Sequence, residues 1–380
     1  MSEGQLQPVD RLPPEILPHI AQYVPEIDEN DARSIIPLTH VCKYWRGSII
    51  SEPRNWVRIS NQHINVAEVS LERCGEVPLE LFLNPVWAGN NLKLSSMIKL
   101  KVENIVVLRI CSAVLFGNPE HSALREDVCD DSMVPPSLPH LHLDNIPLYS
   151  VFLTLRALKV LKIYNQGFYV GLDTLLDFIE QNHSLESARL DIQFALPSFR
   201  DSRPRDPIKN GLRHLFVSSY STTDIKALIS KIAVQEGAHL EVFARTGGWD
   251  DISSVVSTPH LSNLRSPTSM EYFTDKSSRR VIELHGPNGS FSLKRFPRDE
   301  HPFIEFSLLP LKDIRTCRLE VRGSDRTVRP PHSYFPAIET LVVEEESLIC
   351  GSFSDPFSHL RIIPLKLKIT DWGLSVAFPH

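Results

Sequence analysis

Hydrophobic positions near the start of the chain fall on helical stripes divided by a polar link. Apolar residues recur at three- and four-residue steps over residues 12–24, which predicts an amphipathic helix that opens on paired prolines and stops at Pro25. An acidic link follows, and then a second short helix in which Pro37 predicts a kink or a break. A further apolar stripe over residues 41–50 predicts a third helix, which Pro53 ends.

The pattern changes after residue 60, where runs of β-branched and other apolar residues replace the helical stripes. Residues 78–83 and 102–111 predict strands, and residues 94–100 predict a short helix between them. Residues 117–137 combine glycine, several prolines and a charged patch, which indicates an exposed loop. We therefore expect residues 61–137 to form linking strands and a loop.

A loose repeat of strand-like apolar positions begins at residue 138 and continues almost to the end of the chain. Its steps of roughly 20–37 residues are typical of solenoids, whose strand–helix units cannot bury their apolar faces alone. Between the strands, residues 172–179 and 225–234 carry helical stripes, for which Asp173 and Asp224 are the candidate N-caps. The repeated positions are Leu138, Leu141, Leu143, Leu158, Leu161, Ile163, Leu185, Leu190, Ile192, Leu212, Leu215, Val217, Leu240, Val242, Leu261, Leu264, Ile314, Leu319, Val321, Ile338, Leu341, Val343, Leu360 and Ile362.

Residues 266–313 do not follow this repeat. We interpret the section as an irregular hairpin or insertion. Asn288 and Gly289 stand there between two strand-like runs, and this dipeptide is typical of a tight hairpin turn.

Composition narrows the classes of function. The chain has 380 residues, of which 42% are hydrophobic, so a sizeable core is available to one small and one large domain. A formal charge of −6 argues against a general nucleic-acid binder. The six cysteines are scattered, and no stretch approaches the roughly 20 apolar residues of a membrane span. We expect a protein of the cytoplasm, the nucleus or both, with reduced thiols.

The helical segment carries a motif that resembles an F-box. The motif consists of Leu12-Pro13-Pro14-Glu15-Ile16-Leu17, then Val41-Cys42-Lys43-Tyr44-Trp45-Arg46, then Pro53 and Trp56 before Ile59. The likeness covers about residues 10–60 and is closest to the F-boxes of large fungal families, which share a long polar link after the first helix. Pro37 and the acidic character of the link depart from the commonest pattern.

The resemblance implies docking on a Skp-type adaptor of a cullin–RING ubiquitin ligase. The repeats from residue 138 resemble the degenerate leucine-rich repeats that follow F-boxes in fungi, although the asparagine of regular repeats matches only at Asn145 and Asn165. The residues expected to form the adaptor-facing ridge, to complete it or to support it are Leu12, Pro13, Ile16, Leu17, Ile20, Val41, Cys42 and Trp45.

The expected architecture is therefore α/β and has three parts. A small N-terminal three-helix F-box covers residues 8–60, linking strands and a loop cover residues 61–137, and a leucine-rich-repeat-like α/β solenoid covers residues 138–380. The expected function is that of a substrate-recognition subunit, non-catalytic and without a cofactor. It would bind the adaptor directly and a cullin through the adaptor, and it would also bind a target protein. We expect it to bind neither nucleic acid nor membrane.

Two other interpretations remain open from the sequence. The array could be a scaffold outside the ubiquitin system, with the helices as a cap, or residues 266–313 could hide a hydrolase. Neither a G-x-S-x-G elbow nor a P-loop nor a dinucleotide-binding fingerprint occurs. His140 and His142 stand on one side of a predicted strand and could pair around zinc, yet no further ligand has a fitting spacing.

Overall fold

Strands dominate the protein, and helices are few. The computed structural model describes residues 12–13, 16–23, 32–84, 89–111, 133–146, 148, 150–194, 206–245, 261, 265–277, 279–295, 309–321, 336–345 and 361–367. The chain divides into two compact units. The first comprises residues 1–170 and 181–185, and the second comprises residues 171–180 and 186–380.

The first unit joins the helical N-terminal segment to a sheet of parallel strands. Its α-helices are α1 (Ile16–Tyr23), α2 (Lys43–Ser51), α3 (Ile64–Arg73) and α4 (Asn91–Ile98). Its 3₁₀ helices are Ala32–His40, Pro53–Trp56, Val102–Asn104 and Phe152–Thr154. Its strands are β1 (Arg58–Ser60), β2 (Leu79–Leu83), β3 (Ile105–Cys111), β4 (His140–Asp144) and β5 (Val160–Val170), which follow each other in sequence order.

The second unit begins with α5 (Leu172–Gln181) and also contains α6 (Thr222–Ile229) and the 3₁₀ helix Leu311–Asp313. Its sheet has the order β6-β8-β10-β13-β12-β11-β14-β15-β16, and β7 and β9 pair separately. These strands are β6 (Ser187–Phe194), β7 (Ile208–Lys209), β8 (His214–Ser219), β9 (Ile232–Ala233), β10 (His239–Ala244), β11 (Ser269–Thr274), β12 (Arg280–Gly286), β13 (Gly289–Arg295), β14 (Thr316–Val321), β15 (Thr340–Glu345) and β16 (Arg361–Leu367).

In-register pairing of buried apolar residues holds each sheet together. In the first unit, Leu108 of β3 lies opposite Leu81 and Leu141, and all three are at most 1% exposed. In the second unit, Val217 of β8 lies opposite Leu190 and Val242. Side chains alternate between the two faces of a strand, so the leucines of the repeat form the core on one face and the intervening polar residues lie on the other.

The strands predicted for the first unit are present with small shifts. β2 starts at Leu79, one residue into the predicted segment 78–83, whereas residues 102–104 are a 3₁₀ turn and β3 starts at Ile105. The predicted helix at 94–100 is α4, which begins three residues earlier and ends at Ile98. The predicted loop at 117–137 lies outside the described residues up to residue 132.

Residues 266–313 contain no separate insertion among the residues that the structure describes. β11, β12 and β13 follow one another as antiparallel strands, and both outer strands join the sheet, β13 in parallel beside β10 and β11 in parallel beside β14. The hairpin predicted at Asn288 and Gly289 is confirmed as the β12–β13 turn, where Gly289 has a φ of 118°. The section departs from the leucine repeat because its strands reverse direction, not because it leaves the sheet.

Buried asparagines occur at positions other than those matched in the sequence. Asn61, fully buried at the end of β1, donates to the Asn84 carbonyl (2.8 Å) and to Asn91 Oδ1 (2.7 Å). Asn182, 1% exposed, bonds the backbone of Leu155 and Leu158. By contrast, Asn145 is only half-buried and has a φ of 52°, a left-handed conformation that asparagine tolerates better than most residues. The side chain of the other matched residue, Asn165, lies outside the described residues.

Candidate functional site

A small apolar core holds the helical N-terminal segment together. Leu17 of α1 and Ile49 of α2 are fully buried, and Trp45 of α2 is 8% exposed. These three residues come from the predicted stripes, where helical spacing placed them on one face. The partly buried residues packed against them are Leu12, Ile20, Ile35, Leu38 and Cys42. The segment thus has a core of its own.

Two prolines and a cysteine cap shape the helices of this segment. α1 starts at Ile16 rather than at the paired prolines, which places Pro18 in its first turn, where a missing N–H removes no helical hydrogen bond. The second predicted helix is a 3₁₀ helix that contains Pro37. Cys42 caps α2, because its Sγ accepts a hydrogen bond from the Trp45 amide at 3.5 Å. The three helical segments are therefore two α-helices and one 3₁₀ helix.

Three large apolar side chains of this segment are exposed to solvent, and they are here called the N-terminal apolar patch. It consists of Ile16 (43% exposed), Val41 (50%) and Tyr44 (36%). Large apolar side chains this exposed on so small a core are typical of surfaces that bind another molecule.

The structure brings the eight predicted site residues together in and around this core, at different depths. Ile16 and Val41 are in the patch, and Pro13 is exposed beside it. Leu17 and Trp45 are buried in the core. The half-buried members are Leu12, Ile20 and Cys42.

Side chains outside the eight predicted site residues hold the segments of this site together. The Tyr44 hydroxyl donates to the Leu12 carbonyl at 2.7 Å, and Arg46 Nε donates to the Thr39 carbonyl at 2.9 Å. Asn55, 5% exposed, donates to the Ile49 carbonyl at 3.1 Å and so joins the following 3₁₀ helix to the end of α2. Hydrophobic periodicity carries no signal for such contacts, because their partners are backbone carbonyls.

The polar face of the strands is a second surface with candidate binding residues. In the first unit, His142 lies opposite Lys162, and its ring centroid is 5.1 Å from that of Tyr164. Burial raises the pKa of Asp144 on the same face, and the positive charge of Arg109 opposes that shift. This face combines aromatic and charged side chains.

In the second unit, the same face carries pairs of arginine and aromatic side chains. The Arg189 guanidinium lies 4.3 Å from the centroid of the Phe216 ring, which occupies the neighbouring strand position. Asp191 is 6% exposed and forms an ion pair with Arg245. His214 is exposed, with its ring centroid 6.4 Å from that of His239. Of these residues, Asp191 is too deeply buried to offer an open contact.

Among the residues that the structure describes, the candidate zinc pair gains no further metal ligand. His140 and His142 lie on the same face of β4 as expected, but the described residues contain no group of three or more His, Cys, Asp or Glu side chains that could hold a metal. Burial and the charges of Lys162 and Lys159 lower the pKa of His140, while Glu80 opposes them. Burial raises the pKa of the Cys317 thiol to about 12, which keeps it protonated and a poor nucleophile.

Within the part of the chain that the structure describes, no helix has both the length and the apolar character needed to cross a bilayer.

Comparison with known families identifies the N-terminal segment. Residues 9–62 match the F-box-like family model, and this range includes the core, the N-terminal apolar patch and the hydrogen bonds around them. The chain therefore contains an F-box-like domain, which implies binding to a Skp-type adaptor. No curated protein matches the chain.

Proposed function

We propose that this protein is the substrate-recognition subunit of a Skp–cullin–F-box ubiquitin ligase. The observation that carries the proposal is the N-terminal apolar patch, which lies within an F-box-like domain and remains exposed although the domain has a packed core. Docking of this patch on a Skp-type adaptor would attach the chain to a cullin. The protein itself would be non-catalytic, and would bring a target protein close to the ubiquitin-transfer machinery.

The roles of the predicted site residues follow from their depth. Ile16, Val41 and Pro13 would contact the adaptor directly. Leu12, Ile20 and Cys42 would add their exposed edges, while Leu17 and Trp45 would support the surface from below. The proposal keeps an F-box over residues 8–60, linking strands over 61–137 and a target-binding region over 138–380.

The target would bind to the polar face of the strands. In-register parallel strands with a leucine core on one face support a degenerate leucine-rich-repeat solenoid, whose strands present side chains in rows. The aromatic and arginine side chains on this face are residue types that contribute most to protein interfaces. The ligase would act in the cytoplasm, the nucleus or both, and would be of the fungal type.

Replacement of Ile16 and Val41 by aspartate tests the docking. Each change places a charge at a contact that would be buried, so we expect the affinity for a purified Skp-type adaptor to fall at least about a hundredfold in titration calorimetry. Leu12→Asp with Ile16→Asp should have the same effect, although Leu12 also packs on the core.

The matched control is Leu92→Asp with Leu100→Asp. These leucines are 81% and 96% exposed in the same unit and lie outside the F-box-like range. The control should bind the adaptor like the wild type, and circular dichroism should show both double variants folded. Adaptor binding that survives Ile16→Asp with Val41→Asp would remove the docking role of this patch. Failure of the wild type itself to bind the adaptor would leave the scaffold function outside the ubiquitin system.

A further inference from the structure

A tyrosine hydroxyl ties the start of the F-box-like domain to its central helix. Tyr44 Oη, at the start of α2, donates a hydrogen bond of 2.7 Å to the carbonyl oxygen of Leu12, 32 positions earlier in the chain. In a regular α-helix this carbonyl would accept from the amide of residue 16. Here the Ile16 amide instead donates to the Pro13 carbonyl at 3.0 Å. The Leu12 carbonyl is therefore left for a side chain, and Tyr44 provides it.

The hydrogen bond joins a member of the N-terminal apolar patch, Tyr44, to the segment that leads into another member, Ile16. Leu12 and Pro13 lead directly into Ile16, and Tyr44 is three residues after Val41. The Tyr44 ring is itself 36% exposed, so one side chain both belongs to the patch and holds its neighbouring segment in place. Leu12 packs only partly on the core below, which leaves its backbone position dependent on further contacts.

We propose that Tyr44 is a positioning residue for adaptor binding. Its hydroxyl holds the Leu12–Pro13 segment against α2, so that Ile16 and Val41 form one continuous surface before the adaptor arrives. This inference deepens the proposed docking function and rests on it. It assigns to the hydroxyl a contribution made in the free protein, separate from any contact between the ring and the adaptor.

The expected effect follows from the energy of one hydrogen bond. An intramolecular hydrogen bond of this kind changes an equilibrium by about two- to tenfold. Without it, we expect most of the free protein to have the Leu12–Pro13 segment displaced and to be unable to bind. The apparent affinity falls by the fraction of molecules that remain competent, whereas the bound complex keeps the same surface. The loss should therefore appear in the association rate and not in the dissociation rate.

Tyr44→Phe tests this role, because it removes the hydroxyl and keeps the ring. We expect the Kd for a purified Skp-type adaptor, measured by biolayer interferometry on the full chain, to rise about two- to tenfold through slower association. Hydrogen exchange of the Ile16 amide in the free variant should be faster than in the wild type. The control is Tyr220→Phe, which removes the hydroxyl of another exposed tyrosine, bonded to Arg245 at 3.1 Å in the second unit; it should leave both readouts unchanged.

Three outcomes would overturn the inference. Equal affinities of Tyr44→Phe and wild type would show that the hydroxyl is dispensable. Faster dissociation with unchanged exchange at Ile16 would show that the hydroxyl contacts the adaptor and does not position the segment. Failure of the wild type itself to bind the adaptor would overturn the proposed function together with this inference. Measuring the wild type alone therefore distinguishes this outcome from the other two, which need the variant.

Discussion

Arg245 illustrates at the scale of single residues how the second unit accommodates charge near its core. Its guanidinium forms an ion pair with Asp191, donates to Ser218 Oγ at 3.2 Å and to the Tyr220 hydroxyl at 3.1 Å, and lies 4.9 Å from the Tyr220 ring centroid. Asp191 and Arg245 have side chains only 9% and 17% exposed. A pair this poorly hydrated depends on both partners being present.

Asp191→Ala should destabilise the protein by about 1–3 kcal/mol, because it leaves a largely buried guanidinium without its carboxylate. The measurement is the free energy of unfolding in urea. Glu271→Ala is the control, since its ion pair with Arg318 at 3.7 Å joins side chains that are 39% and 44% exposed; it should cost less than about 1 kcal/mol. Equal losses in the two variants would contradict the role given to burial.

Single buried apolar residues were predictable, whereas the polar contacts around them were not. Helical periodicity placed Leu17, Trp45 and Ile49 on core-facing stripes, and all three are buried. The hydroxyl of Tyr44 and the amide of Asn55 bond to backbone carbonyls, and any residue has such a carbonyl. A pattern of side-chain types therefore cannot reveal these partners.

At the scale of secondary-structure elements, the sequence located the helices better than their ends. α6 was predicted to start at a cap on Asp224 and to run to residue 234. Instead Ser221 Oγ accepts from the Asp224 amide at 3.4 Å and caps the helix, which ends at Ile229. Serine followed three residues later by an acidic residue is the capping-box spacing, a signal that would have identified the start. Ile232, which was predicted to lie in the helix, belongs to β9. Its apolar position fits a strand as well as a helix, so periodicity alone could not distinguish the two.

The cap proposed at Asp224 has a different role in the structure. Its carboxylate accepts hydrogen bonds from the Phe194 amide at 3.2 Å and from the Ser219 hydroxyl at 3.1 Å, and so joins the start of α6 to the ends of β6 and β8. Burial raises the pKa of this carboxyl, and the two hydrogen bonds oppose the shift. Likewise Asp173 lies within the first turn of α5 and not before it.

Turn geometry gives a direct test of the β12–β13 hairpin. Gly289 has a φ of 118°, and a Cβ at this position would lie 2.3 Å from the Ala238 carbonyl oxygen of the neighbouring chain segment. Gly289→Ala should therefore lower the free energy of unfolding by about 3 kcal/mol, through backbone strain and displacement of that segment.

The control for the hairpin is Gly75→Ala. Gly75 also has a positive φ, 59°, but no atom would lie within 4 Å of its added Cβ, so backbone conformation alone should cost about 1 kcal/mol. Urea unfolding of both variants measures the difference. A loss at Gly289 no larger than that at Gly75 would mean that the close approach to Ala238 does not constrain the fold.

At the scale of the whole molecule, one histidine in each unit has a lowered pKa, so we expect stability to depend on pH. Burial lowers the pKa of His140 in the first unit and of His239 in the second. Around His239, the charges of Glu241 and Glu283 oppose this shift, and those of His214 and His285 add to it. His239 Nδ1 also lies 2.6 Å from Ser290 Oγ.

The sign of the pH effect follows from proton uptake. Below about pH 6.5 an unfolded histidine gains a proton, whereas half-buried His239 does not until the pH reaches its lower folded-state pKa. Stability should therefore fall as the pH drops from 7.5 to 5.5. His239→Gln should flatten the dependence of the urea midpoint on pH, while His183→Gln, at an exposed position, should not. Identical slopes in wild type and His239→Gln would contradict the prediction.

The strands that the structure describes were largely predictable, but their order was not. Most of the repeated leucines lie in parallel strands. A β-branched or leucine-rich run with one buried face has few secondary structures to adopt other than a strand. Whether these strands are true leucine-rich repeats stays a prediction. The placement of β13 beside β10 depends on contacts between residues far apart in sequence, which no local pattern encodes.

The position of β13 also sets a delay during protein synthesis. β13 pairs with β10 but is synthesised only after β11 and β12. Roughly fifty residues separate Ala244, at the end of β10, from Arg295, at the end of β13. At about 5–20 residues per second, the ribosome needs roughly three to ten seconds to produce them. For that time the nascent chain carries an open edge with unpaired backbone groups, a template for wrong pairing that chaperones would have to shield.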